Sequence, residues 1–527
     1  MLDVLIKNAL VVDGTGIPPF QADVGIAAGR IAVVAKGVEQ EAIRTIDAQG
    51  MHVAPGFVDP HTHSDLTLLA YPHAESKIRQ GVTTEVIGNC GFSPAPLLGA
   101  AVKETRAEAR GIGVPVTWTS MAEYLERLRA TGVAVNLVPL VGHNTVRGSV
   151  LGFDDLQPSV GQQAQMERLA AEAMEQGARG LSTGLYYPPG FYARTSEVVG
   201  LARVVARCGG IYSSHIRDEG RSVLEAVAEA IEIGEQAEIG VEVAHLKLSG
   251  YRSWEGIDRL VALLEKASSR GVRVGCDQYP YAASATWLAA ILPYWAQTGG
   301  AKAIAERLGD PDLRTRIRRD WEGNRTEWDD RSGVRGWTDI LVSDCGARPE
   351  VVGKSIAEIA ADEGKDPLEA ALDLIAISEG QVAGVFFDQL ENNVRTLMRH
   401  PLVVVGSDGS AMAPDGVLGR RKPHPRSYGT FPRVLGRYVR EGKVLSLEQA
   451  VKKMTSVAAE RFGLTDRGVL REGAWADLVL FDALTVTDVA TFTHPHQYPV
   501  GIPHVLVNGV VVIDQGQQTG ALPGRLL

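Results

Sequence analysis

Two histidines separated by one residue could bind a metal ion. His61 and His63 follow the run Gly56–Pro60, which is largely apolar. If this segment is a strand, residues two apart point to the same side, so both imidazoles can reach one ion. A His-x-His pair alone is about as common in solvated loops as in metal sites. The apolar run before this pair is what favours a metal site.

Three more side chains of metal-ligand type close other short runs. Cys90, His215 and His245 each end a segment rich in β-branched or small residues. A lone cysteine is most often a small buried apolar residue, and a lone histidine at a strand end is usually structural. Together with the His-x-His pair they are harder to explain in this way. A thiolate with imidazoles favours zinc, which in catalytic sites keeps a position open for water.

One acidic residue completes the candidate set. Asp408 follows the apolar run Leu402–Ser407. It is either a helix cap or ion-pair partner, or a general base that takes a proton from water and returns it to a leaving group. Bound zinc lowers the pKa of water to about 7, which makes the second role practicable near neutral pH.

The segments that position these residues alternate between strand-like and helix-like patterns. The candidate strands are Phe57–His63, Thr84–Cys90, Val135–His143, Gly180–Tyr187, Ile211–His215, Val241–His245, Val272–Tyr279 and Leu402–Asp408. Such alternation predicts a parallel sheet, and eight strands predict a closed (β/α)8 TIM barrel with its site at the C-terminal strand ends. A ninth run, Val382–Phe387, competes for the seventh place.

Several helices begin with a capping-box pattern, Ser followed three residues later by Glu or Gln. The pairs are Ser120/Glu123, Ser159/Gln162, Ser222/Glu225 and Ser446/Gln449.

The two ends of the chain consist of short β-branched runs closed by turn residues. The simplest organisation is a small β-sandwich domain from residues 1–54 and 468–527, with the metal-dependent barrel at 55–467 between its halves. Residues from about 285 to 350 are too many for a plain loop and predict a lid-like insertion over the barrel mouth.

The composition limits the function classes. The 527 residues are 45% hydrophobic and 22% charged, with a net charge of −10. An acidic chain without a Lys/Arg block argues against nucleic-acid or membrane partners. The run Met1–Lys7 alternates like a strand and is unlike a signal peptide, and the four cysteines form no framework. We expect a cytoplasmic protein whose partner is a small molecule.

The following stretches carry a family resemblance: Gly56–Asp65, Gly88–Gly91, Gly184–Gly190, Ser213–Arg217, Ala244–Lys247, Tyr279–Ser284, Ser407–Gly409 and His424–Arg426. In these the whole chain resembles the D-aminoacylases (N-acyl-D-amino-acid deacylases) of the amidohydrolase superfamily. The resemblance implies hydrolysis of an N-acyl-D-amino acid to a carboxylate and a D-amino acid. Asp408 matches the catalytic base of the family.

The resemblance also implies a ligand assignment. A tight zinc would be held by Cys90, His215 and His245, and His61 and His63 would line a second, weaker site that shares Cys90. Hydantoinase-like relatives use a carboxylated lysine on the fourth strand, and no lysine occurs there in this chain. This favours a mainly mononuclear enzyme in which the thiolate takes the bridging role.

Five residues are candidate substrate contacts. Arg426 would pair bidentately with the α-carboxylate, unless it is only a surface charge. Ser284 and Tyr281 could donate hydrogen bonds, and Tyr187 would face the scissile carbonyl, although strand phase could exchange it with Tyr186.

Lys247 shares the inward face with His245. It would bind a carboxylate or form an internal ion pair with Glu219 or Asp218. His143 is expected to support a metal ligand from behind.

Two other functions remain open on the sequence. One is another amidohydrolase reaction, such as cyclic amide hydrolysis or N-acetyl-sugar deacetylation. The other is a relative that has lost its site. The preferred side chain is also open, because Lys247 suggests acidic substrates whereas Trp287 and Leu288 suggest apolar ones. The sequence leaves the oligomeric state undetermined.

Overall fold

The computed structural model describes residues 1–323 and 334–527, and in these the chain is a mixed α/β protein. The strands of the middle of the chain that pair in parallel are Phe57–Asp59, Val82–Ile87, Asn136–Pro139, Val141–Gly142, Gly180–Gly184, Ile211–His215, Gly240–Val243, Val274–Gln278 and Val403–Val405. They form two sheets in which spatial order follows chain order. A single parallel bridge between Thr62 and Gly409 also joins the segments that follow the first and last of these strands.

The ninth apolar run lies outside the parallel strands. Val382–Phe386 pairs antiparallel with both Ser284–Trp287 and Ile340–Cys345. Val274–Gln278 pairs directly with Val403–Val405, so the seventh place belongs to the former strand.

Strands from both ends of the chain form one nine-stranded sheet. His52–Pro55 joins the two halves, because it pairs in parallel with Leu2–Val11 and antiparallel with Leu478–Phe481. The remaining strands are Phe20–Ala27, Arg30–Ala35, Ala42–Asp47, His504–Val507, Val510–Asp514 and Gln517–Gln518.

The α-helices are Thr67–Ala70, Glu75–Ile78, Gly99–Gly111, Met121–Thr131, His143–Leu151, Val160–Glu175, Thr195–Arg207, Val223–Ala237, Ile257–Ser269, Tyr294–Gln297, Gly300–Gly309, Pro311–Gly323, Ile356–Glu363, Pro367–Ile377, Glu391–Arg399, Arg426–Arg433, Leu447–Met454 and Ser456–Arg461. A π-helix, Val434–Glu441, continues one of them. None of the helices in the described part of the chain has the length and apolarity needed to span a membrane.

Three of the four expected capping boxes are confirmed, at Ser120, Ser159 and Ser446. The prediction of a capping box at Ser222 is wrong, because the Ser222 side chain makes no capping hydrogen bond. The Ser222 N–H donates instead to Asp218 Oδ1 at 3.1 Å, so the preceding loop supplies the acceptor that a box would take from the helix.

The apolar interior is divided. The largest hydrophobic cluster packs the helices against the parallel strands. A separate cluster includes Leu292, Ile304, Ile340, Leu372 and Phe386, and its buried members all lie between Leu288 and Phe386. The described residues of this part of the chain therefore have their own core.

Candidate active site

Three of the expected site residues have left-handed backbone conformations just beyond a strand. The φ angles are 53° at Cys90, 34° at His245 and 49° at Asp408. Such conformations cost non-glycine residues about 1–3 kcal/mol and persist where surrounding contacts enforce them, often at functional sites. Here they turn a thiol, an imidazole and a carboxyl group away from the strand direction and toward one another.

The thiol and three imidazoles meet in one buried cluster. His61 Nε2 lies 3.2 Å from Cys90 Sγ, and that sulfur lies 3.4 Å from His245 Nε2. His245 Nε2 in turn lies 2.9 Å from His215 Nδ1. Four residues that are far apart in the chain thus direct ligand-type atoms at a common point.

Asp408 belongs to this cluster, whereas His63 lies at its edge. Ligand atoms of His61, Cys90, His245 and Asp408 all lie within 4.8 Å of one another. The His63 side chain is 36% exposed, and its Nε2 lies 3.0 Å from Asp408 Oδ1. Sequence reasoning placed His63 among the metal ligands and Asp408 outside them, and the geometry brings the carboxylate closer to the centre.

The ionisation states suit a cation. Burial alone would raise the pKa of the Cys90 thiol, but the imidazoles of His61, His245 and His215 lower it well below its ordinary value. Burial lowers the pKa of His215 to about 4, which keeps this ring neutral. Burial lowers the pKa of His61 and His245, but the neighbouring carboxylates and Cys90 raise both by more, so without an ion these rings hold protons that zinc would displace. Thiolate, imidazole and carboxylate donors are those that bind zinc, so the residue types fit this ion.

Two carboxylates that the sequence reasoning missed as site residues hold the imidazoles in place. Asp277 Oδ2 lies 3.3 Å from His61 Nδ1, and Asp277 Oδ1 accepts a hydrogen bond from the His245 N–H at 2.8 Å. Glu219 Oε1 lies 2.9 Å from His245 Nδ1. Such partners orient ligand histidines and fix their tautomers. Asp277 is the only acidic residue of the predicted strand Val272–Tyr279, a signal that could have identified it.

A fully buried lysine supports the segment that carries Asp408. Lys77 Nζ donates to Asp59 Oδ2 at 2.9 Å, to Ser407 Oγ at 2.7 Å and to the Gly409 carbonyl at 3.0 Å. Two of these partners flank Asp408 directly. No local sequence pattern identified Lys77 as part of the site.

Arg426 contacts the carboxylate of Asp408. Its Nη1 lies 2.8 Å from Asp408 Oδ2, and its side chain is 8% exposed, so it is not a surface charge. Burial raises the pKa of Asp408, but Arg426 and His245 lower it by more, to well below the ordinary value. Asp408 is therefore ionised.

The expected tyrosine lies beside the cluster. The Tyr187 ring centroid is 4.9 Å from that of His215, and the Tyr186 ring is 5.7 Å away. The Tyr187 hydroxyl lies 2.9 Å from Thr286 Oγ1, in the antiparallel strand Ser284–Trp287.

Lys247 and Ser284 are both engaged by carboxylates. Lys247 Nζ donates to Glu219 Oε1 at 2.5 Å, which is the internal ion pair considered as its alternative role. Ser284 Oγ donates to Asp388 Oδ2 at 2.8 Å.

The remaining two candidates contact other groups. Tyr281 donates to the Pro425 carbonyl at 3.4 Å. His143 Nε2 lies 2.9 Å from Glu197 Oε1 at the buried start of its helix.

The chain is similar to known proteins over its full length. A model of the Amidohydrolase family matches residues 44–513. N-acyl-D-glutamate deacylase of Alcaligenes xylosoxydans xylosoxydans is 40% identical over 528 residues, covering 100% of this chain and 96% of that protein. D-aminoacylase of the same organism is 37% identical, covering 100% and 97%.

A solved structure is similar over the full length. The crystal structure of N-acyl-D-glutamate deacylase from Bordetella bronchiseptica, complexed with zinc and a phosphonate mimic of the tetrahedral intermediate, superimposes with a TM-score of 0.84. The two sequences are 35% identical, and the match covers 100% of this chain and 99% of the other. Family model, full-length relatives and fold all point the same way: the chain belongs to the amidohydrolase family.

Proposed function

We propose that the protein is a zinc-dependent hydrolase that cleaves the amide bond of N-acyl-D-amino acids, releasing a carboxylate and a D-amino acid. The observation that carries the proposal is the buried meeting of Cys90, His61, His215 and His245 beside Asp408. The full-length relatives named as D-amino-acid deacylases supply the substrate class and its stereochemistry.

We propose a (β/α)8 barrel as the frame of the site. Parallel pairing in chain order supports this, as does the Thr62–Gly409 bridge between the first and last strand segments. Residues 55–467 would form the barrel, and residues 1–54 and 468–527 the β-sandwich domain. The insertion at about 285–350 would form the lid, and the separate hydrophobic cluster, whose buried members lie between Leu288 and Phe386, supports this. Residues 324–333 of the insertion lie outside the described residues. A cytoplasmic location would keep the ligand thiol reduced.

The metal would be held tightly by Cys90, His215 and His245, with His61 and His63 at a second, weaker site that shares the thiolate. The contacts of His61 and His245 with the same sulfur support a shared ligand. When bound, zinc supplies Lewis-acid polarisation of the scissile carbonyl. Asp277 and Glu219 would keep the rings of His61 and His245 oriented toward the ion.

Asp408 would act as general base and then general acid. Its carboxylate takes a proton from the attacking water and gives it to the departing amine. Arg426 would bind the substrate α-carboxylate, and it now contacts Asp408 at 2.8 Å. Sharing Arg426 with a substrate anion weakens its hold on Asp408, which raises the pKa of the base as substrate arrives. The Tyr187 hydroxyl would donate to the carbonyl oxygen as negative charge develops there.

The test compares the wild type with Asp408→Asn on N-acetyl-D-methionine, with bound zinc measured by mass spectrometry. We expect the variant to retain zinc and to lose at least about 100-fold in kcat, the usual range for a general base. Turnover near the wild-type rate contradicts the role of Asp408. Hydrolysis of dihydroorotate, a hydantoin or an N-acetyl sugar, with none of N-acetyl-D-amino acids, would replace the proposed reaction with another of the same family.

A further inference from the structure

Asp388 is a buried carboxylate that the proposed reaction does not use. The residue is 3% exposed, and its Oδ2 accepts hydrogen bonds from Ser249 Oγ at 2.6 Å and Ser284 Oγ at 2.8 Å. Its Oδ1 is also buried but has no hydrogen-bond partner among the described residues. A buried polar atom left without a partner costs about 1–3 kcal/mol, and more when charged, so Oδ1 is expected to meet a donor when the protein acts.

Asp388 lies beside the proposed substrate contacts. The next residue, Gln389, donates from Nε2 to the Tyr279 hydroxyl at 3.0 Å. The guanidinium carbon of Arg426 lies 4.8 Å from the centroid of the Tyr279 ring, and Lys247 Nζ lies 5.7 Å from it. The unpartnered oxygen thus belongs to the same polar region as both cations.

The charges of this region do not balance. Lys247 is paired with Glu219, and Arg426 is paired with Asp408. In the described part of the chain, Asp388 has no cationic side chain within ion-pair distance, which leaves one carboxylate in excess. Burial raises the pKa of Asp388 above its ordinary value, and its hydrogen bonds and Lys247 offset only part of that rise.

We propose, on the basis of the function proposed above, that Asp388 determines the substrate side chain: the enzyme prefers N-acyl-D-amino acids with a hydrogen-bond donor in the side chain and discriminates against acidic ones. Arg426 is available to the α-carboxylate that every such substrate carries. A second carboxylate would meet the Asp388 oxygen with no cation to offset it, whereas an amide N–H would supply the missing donor.

The two serines strengthen this preference. A serine hydroxyl has one proton, and both Ser249 and Ser284 direct theirs to Asp388. Toward a substrate these oxygens therefore accept hydrogen bonds and do not donate them. The Asp388 carboxylate and the two serine oxygens therefore all act as hydrogen-bond acceptors toward a substrate. This arrangement favours substrate side chains that donate hydrogen bonds.

The experiment compares N-acetyl-D-glutamine with N-acetyl-D-glutamate, which are almost the same size and differ in charge. We expect the wild type to favour glutamine at least tenfold in kcat/KM. Asp388→Asn should reduce the glutamine-to-glutamate ratio at least tenfold, because the charge is removed and the new amide can donate to a carboxylate. Thermal unfolding and zinc content confirm that the variant is folded and loaded.

Asp339→Asn is the matched control. It is the same change in a half-buried residue whose backbone carbonyl accepts the Phe387 N–H at 3.0 Å, so it lies next to the Asp388 segment. It should leave the ratio within twofold of the wild type.

A wild type that hydrolyses the glutamate substrate as well as the glutamine one overturns the inference, whether or not the variant folds. So does an Asp388→Asn enzyme with an unchanged ratio. Failure to hydrolyse any N-acyl-D-amino acid is a different outcome, because it removes the proposed function and this inference with it.

Discussion

Replacement of Lys77 by methionine removes a buried cation while keeping most of the side-chain volume. Lys77 and Asp59 are both 0% exposed, with Nζ 2.9 Å from Asp59 Oδ2. Glu85 Oε2 lies 3.9 Å from the same nitrogen and is equally buried. The variant therefore leaves two carboxylates in the interior without their shared partner.

The magnitude follows from this arrangement. Removing one partner of a buried ion pair costs about 3–5 kcal/mol, because the remaining charge is uncompensated. Since Lys77 faces a second carboxylate and also donates to Ser407 and Gly409, we expect a loss of about 4 kcal/mol, a large part of a typical total of about 5–15 kcal/mol. Adding Asp59→Asn neutralises the nearer carboxylate and should restore at least half of the loss.

Urea unfolding of the wild type, both single variants and the double variant measures this coupling as a double-mutant cycle. Activity gives an independent readout, because Ser407 and Gly409 flank Asp408. At a temperature where Lys77→Met remains folded, kcat should fall while KM changes little. A loss of stability below about 1 kcal/mol would refute the argument, since that is the range of an exposed pair. Lack of rescue by Asp59→Asn would refute it as well.

Three further changes test other contacts. Ser120→Ala removes a formed capping box and should cost about 1 kcal/mol, whereas Ser222→Ala should cost little because that side chain makes no capping bond; thermal unfolding of both variants checks this pair. Burial lowers the pKa of Lys453 from 10.5 to about 8, so the unfolded chain binds more protons between these values and stability should rise with pH across that window. Urea unfolding at pH 8 and pH 10 should show this rise in the wild type and not in Lys453→Met. Asp277→Asn should weaken zinc binding about 10- to 100-fold in competition with a chelator, and unchanged affinity would contradict its orienting role.

The candidate metal-ligand cluster could be anticipated because its members are rare residue types at the ends of predicted strands. Cys90, His215 and His245 each close a β-rich run, and the ends of parallel strands meet on one side of a sheet. Asp408 was found in the same way. The sequence did not predict that Asp408 lies among the candidate ligand atoms, because this depends on its left-handed backbone and on the register of the neighbouring strands.

The supporting residues could not be identified from local patterns. Lys77 meets Ser407 across 330 positions of sequence, and nothing near Lys77 indicates this contact. Arg426 and Asp408 lie on two segments separated by an irregular loop. The sequence identified each residue as a candidate, but it did not predict that the two form an ion pair. The Ser222 capping box failed because Asp218, in the preceding loop, competes for the same N–H.

The separate core between Leu288 and Phe386 also bears on how such an enzyme can diversify. The candidate metal-binding side chains lie on or just beyond strands that pack against the larger cluster, while Ser284 and Asp388 lie at the two borders of the smaller one. Mutations that repack the smaller cluster can therefore accumulate without disturbing the reactive centre. Related proteins that keep the same reactive centre can therefore acquire different substrate specificities through changes in the segment between Leu288 and Phe386.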